Sequence, residues 1–217
     1  MVSRVDQVRA SYDAVAHRYA EEIAGELAAK PVDRALYRLF AELVDDGPVG
    51  DVGCGPGHVT AHLAELGLDP VGVDPSPRMI DLARARYPEL SFELGSLAEL
   101  PVDDGGWAGA VAPYSIIHVP VEARSAAWTE LARVIRPGGW LLVAFHIETA
   151  DRPPGSTGHV AEWWGHAVDL DFHFLDPAQA TTELAAAGWT VMARTDREPW
   201  PEVEYQSRRS YLLARRE

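Results

Sequence analysis

Apolar residues in the first part of the chain recur at steps of three and four. Val5, Val8, Tyr12, Val15, Tyr19 and Ile23 fall on one face of a helix over Val5–Ile23. Pro31 opens a second helix, carried by Leu36, Leu39, Phe40 and Leu43 to the turn Asp45–Pro48. Beyond Pro48 short apolar runs alternate with helical stretches. The predicted strands are Val49–Gly53, Pro70–Asp74, Leu90–Leu94, Trp107–Ala112 and Trp140–His146, with helices at His58–Leu66, Pro77–Tyr87 and Val121–Ile135 between them. Strand–helix alternation with short loops predicts an α/β fold built on a doubly wound parallel sheet.

The tail breaks this rhythm. Asp176-Pro177 caps a helix to Ala187, Gly188 ends it, and Trp189–Thr195 and Arg209–Ala214 read as strands with a loop between them. Two late strands without an intervening helix predict that the sheet finishes antiparallel. Residues 147–175 interrupt the alternation and read as an insertion over the ligand face, as long connections often are. Within "VDLDFHFL" a period of two puts Val168, Leu170, Phe172 and Phe174 on one face and Asp169, Asp171 and His173 on the other. The organisation expected is one domain over 1–217. It comprises a helical cap (1–45), a core (46–147), a lid (148–175) and a C-terminal helix with strands (176–217).

Composition narrows the function classes. A chain of 217 residues, 47% hydrophobic and 24% charged, suits one globular domain. No run approaches the ~18 apolar residues of a membrane span, and "MVSRVDQVRASYDAV" has no apolar leader core. Cys54 is the only cysteine. A cytoplasmic protein is expected, without a membrane partner. Nineteen Lys+Arg against 33 Asp+Glu, a net charge of -14, argue against nucleic acid as the ligand, since its phosphates bind clustered cations.

The sharpest local feature is "VGDVGCGPGH", a short strand running through Gly53, Gly55 and Gly57 into a helix. Glycines let a ligand lie against bare peptide groups, and the helix that follows offers free N–H groups. The spacing is G-x-G-x-G, with Asp51 two residues ahead, rather than the G-x-G-x-x-G of dinucleotide sites. An acid at that place suits an amino-acid ammonium better than a pyrophosphate. The next strand ends in Asp74, where two ribose hydroxyls could be gripped together.

These residues resemble the Rossmann-like, class I S-adenosylmethionine-dependent methyltransferases. "DVGCGPGHVT" is similar to the first motif of that family, "VGVDPSPRMI" to the second, "FELGSLAELP" to the adenine-side segment, and "LARVIRPGGWLLVAFH" to the helix–turn–strand after the fourth strand. The four stand in family order over residues 45–147. The resemblance implies a seven-stranded, mainly parallel sheet whose last strand is antiparallel, and S-adenosyl-L-methionine as cofactor, with S-adenosyl-L-homocysteine as product. It also implies that Asp51, Gly53, Cys54, Gly55 and Gly57 line the methionine end and that Asp74 holds the ribose. Pro75, Ser76 and Met79 would follow along the ribose–adenine side, with Ser96 and Leu97 beside the adenine. Ser96 departs from the acid that the family often carries there. "YDAVAHRYA" resembles an N-terminal segment of small-molecule members, in which Tyr19 would reach the cofactor carboxylate. Tyr12 is either a substrate contact or a core residue.

For the methyl acceptor the sequence offers several groups. The fourth strand runs out in Ala112-Pro113-Tyr114-Ser115-Ile116-Ile117-His118. Val111-Ala112-Pro113-Tyr114 lacks the polar residue that nucleic-acid amino-methylating enzymes place before Pro-Pro. His118 is the first candidate for a general base, because an unperturbed imidazole titrates near ~6.5; packing or a cofactor contact is the other reading. Tyr114 and His146 are further catalytic candidates. Trp163, Trp164 and His166 offer a pocket wall for a flat aromatic substrate. "EWWGHAVDLDFHFLDP" and "EVEYQSRRSYLLARR" resemble actinobacterial methyltransferases of specialised metabolism. The eight histidines show no metal-ligand spacing, so no metal is expected. The expected activity is methylation of a small, indole- or phenol-like metabolite at O, N or C by a monomer or homodimer. An NAD-dependent oxidoreductase and a non-catalytic cofactor-binding protein are the alternatives.

Overall fold

The structure, a computed structural model, describes residues 3–23 and 25–217; the first two positions and residue 24 of the expected helical cap lie outside the described residues. In chain order the cap comprises α1 (Arg4–Ile23), a 3-10 turn at Glu26–Ala29 and α2 (Pro31–Leu43). There follow β1 (Pro48–Val52), α3 (His58–Glu65), β2 (Asp69–Asp74), α4 (Pro77–Arg86), β3 (Ser91–Leu94), β4 (Trp107–Pro113), α5 (Val121–Val134) and β5 (Ile135–Glu148). A pair of strands, β6 (Thr157–Trp163) and β7 (His166–His173), precedes α6 (Pro177–Ala186), β8 (Trp189–Arg197) and β9 (Arg208–Arg216).

Seven strands form one sheet in the order β3-β2-β1-β4-β5-β9-β8. Strands β1 to β5 run parallel, and β9 is antiparallel to both β5 and β8, as the tail predicts. Both faces are covered along the inner strands β1, β4 and β5, which is why these read as apolar runs without alternation, while the edge strands β3 and β8 stay largely exposed. Trp128, Leu131, Phe145 and Trp189 fill one side, while Tyr37, Phe40, Leu63 and Leu213 fill the other. Strand order reverses between β1 and β4, and ligands of such sheets bind in the crevice beyond the strand ends at that switch.

Strand β5 is longer than the pattern predicts. Ile135, read from sequence as the end of α5, instead pairs with Trp107; the register then jumps so that Gly109 meets Trp140. The intervening Arg136–Gly139 segment bulges out. A Cβ at Gly139 would stand 2.6 Å from the Ala108 carbonyl oxygen. The Pro-Gly-Gly that reads as a helix stop is therefore a bulge inside a strand.

The insertion folds as an antiparallel pair, β6 with β7, and packs on α1. Val168 and Leu170 are buried with Val15, as the period-two reading expects. The Asp169 N–H donates to Ser11 Oγ at 2.9 Å, and Arg4 forms an ion pair with Asp171. Helix α1 is held in turn to α4: Asp13 Oδ1 accepts from Ser76 Oγ at 2.6 Å and from the Arg78 N–H at 3.2 Å. No described helix is long and apolar enough to cross a membrane.

Leu170→Ala is expected to weaken the docking of the hairpin by about 2–5 kcal/mol, the cost of truncating a buried leucine. Hydrogen exchange should then accelerate over residues 157–173 and stay unchanged in β4 and β5. Equal acceleration in the main sheet would show that the hairpin does not open as a unit of its own.

Candidate active site

A cavity of about 1330 Å³ lies at the C-terminal ends of the parallel strands. Across the sheet its walls include Asp74 at the end of β2, Gly53 and Gly55 after β1, Tyr114 after β4, His146 near the end of β5 and Arg209 on β9. Neighbouring strands stand ~4.8 Å apart, so the row from β2 to β9 spans roughly 19 Å. One small ligand ordinarily occupies ~300–1,000 Å³. The space therefore suits two molecules side by side.

The glycine loop shapes the β1–β2 end. Gly53 and Cys54 donate their N–H groups to the Val73 carbonyl at 2.7 and 3.1 Å, holding the loop against β2. A Cβ at Gly53 would stand 2.6 Å from Ser115 Cβ, so glycine there permits contact with the end of β4. At Gly55 (φ +53°) a Cβ would meet only Tyr19, at 3.8 Å, and bare backbone faces the cavity. Asp74 is buried; one carboxylate oxygen accepts the Gly55 N–H and the other the Ser76 N–H, both at 2.9 Å. Each oxygen keeps a lone pair, which fits two neighbouring hydroxyls. Burial pushes the Asp74 carboxyl up to about 6, partly offset by the two N–H bonds.

Asp51 departs from its expected place. Its carboxylate is fully buried on β1 and does not line the cavity. Oδ2 accepts from Thr60 Oγ1 at 2.6 Å, Oδ1 has no partner among the described residues, and burial raises its carboxyl to about 6 despite the Thr60 bond. Gly57 (φ +84°), at the N-terminus of α3, and Ser76 are likewise set behind the walls. Ser76 instead caps α4, accepting from the Met79 N–H at 3.1 Å. Tyr19, Cys54, Pro75, Met79, Ser96 and Leu97 line the cavity.

The middle of the cavity is crossed by a hydrogen-bonded pair. His118 Nδ1 lies 3.0 Å from the Asp171 carbonyl oxygen and Nε2 lies 2.8 Å from Tyr12 Oη. A carbonyl only accepts, so Nδ1 carries the proton, Nε2 accepts, and the Tyr12 hydroxyl donates to it. Burial, with His173 and Arg4 adding to it, lowers the His118 ring to about 3. Burial raises the Tyr12 phenol well above its usual range, with Tyr19 and Asp74 contributing. Both nitrogens of the expected base are thus engaged, and the ring is neutral.

Around this pair the lid supplies aromatic surface. Tyr12 meets Tyr19 and Trp163 edge-on at 5.6 and 6.1 Å between centroids, and Phe172 stands 4.9 Å from His118. Trp163 and Trp164 are stacked at 4.7 Å, and both line the cavity. His166 does not: it lies exposed just past the hairpin turn, so the expected wall consists of the two tryptophans.

At the β5–β9 end His146 stacks on Tyr114 at 4.9 Å, and its Nδ1 pairs with Ser207 Oγ at 2.6 Å. Burial and the nearby Arg209 and Lys30 lower its ring to about 3. Tyr114, in the left-handed region at φ 57°, shares a hydrogen bond of 3.1 Å with Tyr211, whose hydroxyl donates to Asp33 at 2.9 Å. Strain of this kind collects at functional sites. Arg197 bridges Asp33 and Glu204, at 2.9 and 2.5 Å, and Arg209 reaches Glu204 at 3.2 Å. Sequence reasoning missed this network, since its members come from α2, β8, β9 and the loop between the last two. The only signal is the run of mixed charges in "EVEYQSRR".

Residues 49–139 match the protein family described as a methyltransferase domain. An uncharacterized methyltransferase of Mycobacterium tuberculosis is 45% identical over 91 residues, covering 42% of this chain and 36% of that protein. A demethylmenaquinone methyltransferase of Renibacterium salmoninarum is 31% identical over 144 residues, 65% of this chain and 59% of that protein. The chain thus spans 36% and 59% of the length of these two curated relatives, under two thirds of either. Among solved structures, the complex of DhpI with S-adenosylhomocysteine shares the fold at a TM-score of 0.71. That match has 23% identity and covers 98% of this chain and 96% of that one.

The two raised carboxyls generate a pH prediction. A buried acid whose folded value lies above its unfolded value stabilises the fold fully below ~4, and that contribution is lost as pH rises through about 6. Asp51→Asn keeps the Thr60 partner without the buried charge. It should make the ligand-free chain more stable than the wild type at pH 8, by up to about 3 kcal/mol, with the gap closing toward pH 4. Urea midpoints across that range check this; a gap independent of pH would place the Asp51 carboxyl in its ordinary range.

Proposed function

We propose, with the methyltransferase domain at residues 49–139 as premise, that this chain transfers a methyl group from S-adenosylmethionine to a small aromatic acceptor. The observation that carries the reading is the two-part cavity. At one end bare Gly55 backbone faces a twice-bonded, buried Asp74; at the other, ring-lined walls leave room for a second molecule. The donor set fits the cofactor. Asp74 retains lone pairs for the ribose hydroxyls. Asp51 makes no wall of the cavity, but its carboxylate oxygen behind the loop has no partner among the described residues, and a cationic ammonium on the cavity side would favour its ionised form. Tyr19 stands across from Gly55 to receive the amino-acid end, and Ser96 and Leu97 flank the adenine side.

Bound S-adenosylmethionine supplies a methyl group on a sulfonium, open to in-line displacement. What the chain adds is position. Tyr12, Trp163 and Phe172 form an aromatic wall beside His118, and a flat ring fits against such surfaces in offset or edge-on contact. The demethylmenaquinone methyltransferase relative is named for a quinone, which is also a flat ring.

General-base catalysis by His118 fits the geometry poorly. Burial lowers the His118 ring to about 3 and holds the Tyr12 proton on its phenol, and the Nε2 lone pair is already taken by that hydroxyl, so the imidazole is a weak acceptor for a substrate proton. His118 therefore acts as a positioning residue: it fixes the Tyr12 hydroxyl as a donor toward itself. The Tyr12 oxygen lone pairs are left to accept from an N–H or O–H of the acceptor. His146, also near 3, is no better a base. Acceptors that react without prior loss of a proton suit this site: a ring carbon, a neutral amine or an oxygen already ionised.

Asp74→Ala should lower S-adenosylmethionine affinity about ten-fold or more, because charge-assisted hydrogen bonds contribute ~1.5–3 kcal/mol each. Calorimetric titration decides, and an unchanged affinity would remove the ribose assignment. Tyr12→Phe and His118→Asn both delete the same hydrogen bond. Each should slow S-adenosylhomocysteine formation over a panel of phenolic, indolic and quinol acceptors, and the double variant should lose little more than either alone. Fully additive losses would give the two residues separate roles.

A further inference from the structure

The β5–β9 end of the cavity holds more hydrogen-bond donors than acceptors. Lys30, with 6% of its side chain exposed, lines the cavity and has three N–H groups. One close carboxylate oxygen answers them, Glu26 Oε2 at 2.8 Å; Glu204 Oε2 stands off at 3.9 Å. Arg209, with 2% exposed, also lines the cavity. It bonds the Ser207 and Tyr205 carbonyls at 2.7 and 2.8 Å and Glu204 at 3.2 Å, and its Nε–H is buried without a partner among the described residues. Both cationic heads lie 5.8 Å from the centre of the Tyr114 ring. Arg209 is also the cross-strand partner of His146, whose ring stacks on Tyr114.

The carboxylates of the cluster are already committed. Asp33 takes Arg197 and the Tyr211 hydroxyl, and Glu204 takes Arg197 and Arg209. Glu26 is divided between Lys30 and His58. Lys30, Arg197 and Arg209 thus face three carboxylates, so the formal charges balance and the surplus lies in N–H groups left without an acceptor. A buried ammonium or guanidinium left short of acceptors costs desolvation free energy that a ligand oxygen would restore. The neutral His146 ring beside them carries the same sign: Arg209, Lys30 and Arg197 all oppose its protonation, after burial itself.

We infer that this end of the cavity is a subsite for a carboxylate on the methyl acceptor, received by Lys30 with Arg209 beside it. Lysine and arginine only donate and a carboxylate only accepts, so the pairing leaves no polar group of either partner unmatched in kind. A monoanion fits the local balance better than a dianion, because Asp33 and Glu204 already answer Arg197 and Arg209. The inference rests on the methyltransferase reading for the acceptor's presence in the cavity, and it narrows that acceptor to an aromatic acid.

The test is calorimetry on the chain saturated with S-adenosylhomocysteine, using matched probes: salicylate against salicylamide, and indoleacetate against indoleacetamide. At least one acid should bind about ten-fold or more tighter than its amide, the gain expected from one charge-assisted hydrogen bond. Lys30→Gln should bring that ratio close to one, and Lys30→Arg should keep it. Amides that bind as well as the acids, acids that do not bind, or a ratio unmoved by Lys30→Gln would each overturn the subsite. Should Lys30→Gln fail to bind S-adenosylhomocysteine, the wild-type ratio and that of Lys30→Arg decide. S-Adenosylhomocysteine binding without acid preference overturns the subsite alone, whereas absence of that binding overturns the methyltransferase reading beneath it.

Discussion

The Asp74 carboxylate is the junction on which the site depends. Its two oxygens hold the Gly55 and Ser76 N–H groups, locking the loop after β1 to the start of α4. From Ser76 the run continues to Asp13 on α1, and from α1 to the rest of the site through Tyr12 and His118. His118 then passes it to the Asp171 carbonyl on the lid. Hydrogen bonds, joined through the backbone of α1 between Asp13 and Tyr12, therefore connect glycine loop, cap helix, cavity centre and lid. The run begins in a carboxyl that burial would rather protonate. Ligand hydroxyls on that carboxyl would strengthen its ionised form and, with it, the seat of the loop and cap.

This arrangement explains why cap and lid follow the sheet rather than forming a layer of their own. Helix α1 presents Val15 to the hairpin and Asp13 to α4, so one helix serves two contacts with opposite chemistry. The apolar contact closes the cavity from above. The polar one fixes where along the sheet the closure falls.

Much of this was legible in the chain. Strand–helix alternation, the antiparallel finish and the outward and inward faces of β7 all follow from local periodicity, because each depends on side chains only a few residues apart. The bulge at Arg136–Gly139 was not legible, since Pro-Gly-Gly stops a helix and kinks a strand with equal ease. The glycine loop and Asp74 were legible as chemistry, but the depth of Asp51 was not: whether a strand-end carboxylate faces the ligand or the helix behind it is decided by Thr60, nine residues on. His118 shows the same limit more sharply. Its residue type suggested a base, yet its protonation state is fixed by a backbone carbonyl 53 residues away and a phenol 106 residues before it.

The electrostatics of the cavity argue for a division of labour. The rings at its centre and toward β5 are held neutral by burial: His118 and His146 are pushed down, and Tyr12, Tyr19 and Tyr114 are pushed up. A site of this kind gives and takes protons poorly at neutral pH, but it keeps fixed donors and acceptors aimed in fixed directions. Buried charge on its walls stands instead toward the two ends, in Asp74 on β2 and in Lys30 and Arg209 near β9. Fixed dipoles in a dry space cost little reorganisation when charge moves past them. Loss of a sulfonium charge is such a movement, and it needs no proton. Under the proposed reading, the neutral centre is the part of the structure suited to methyl transfer, and the charged ends would hold what reacts there.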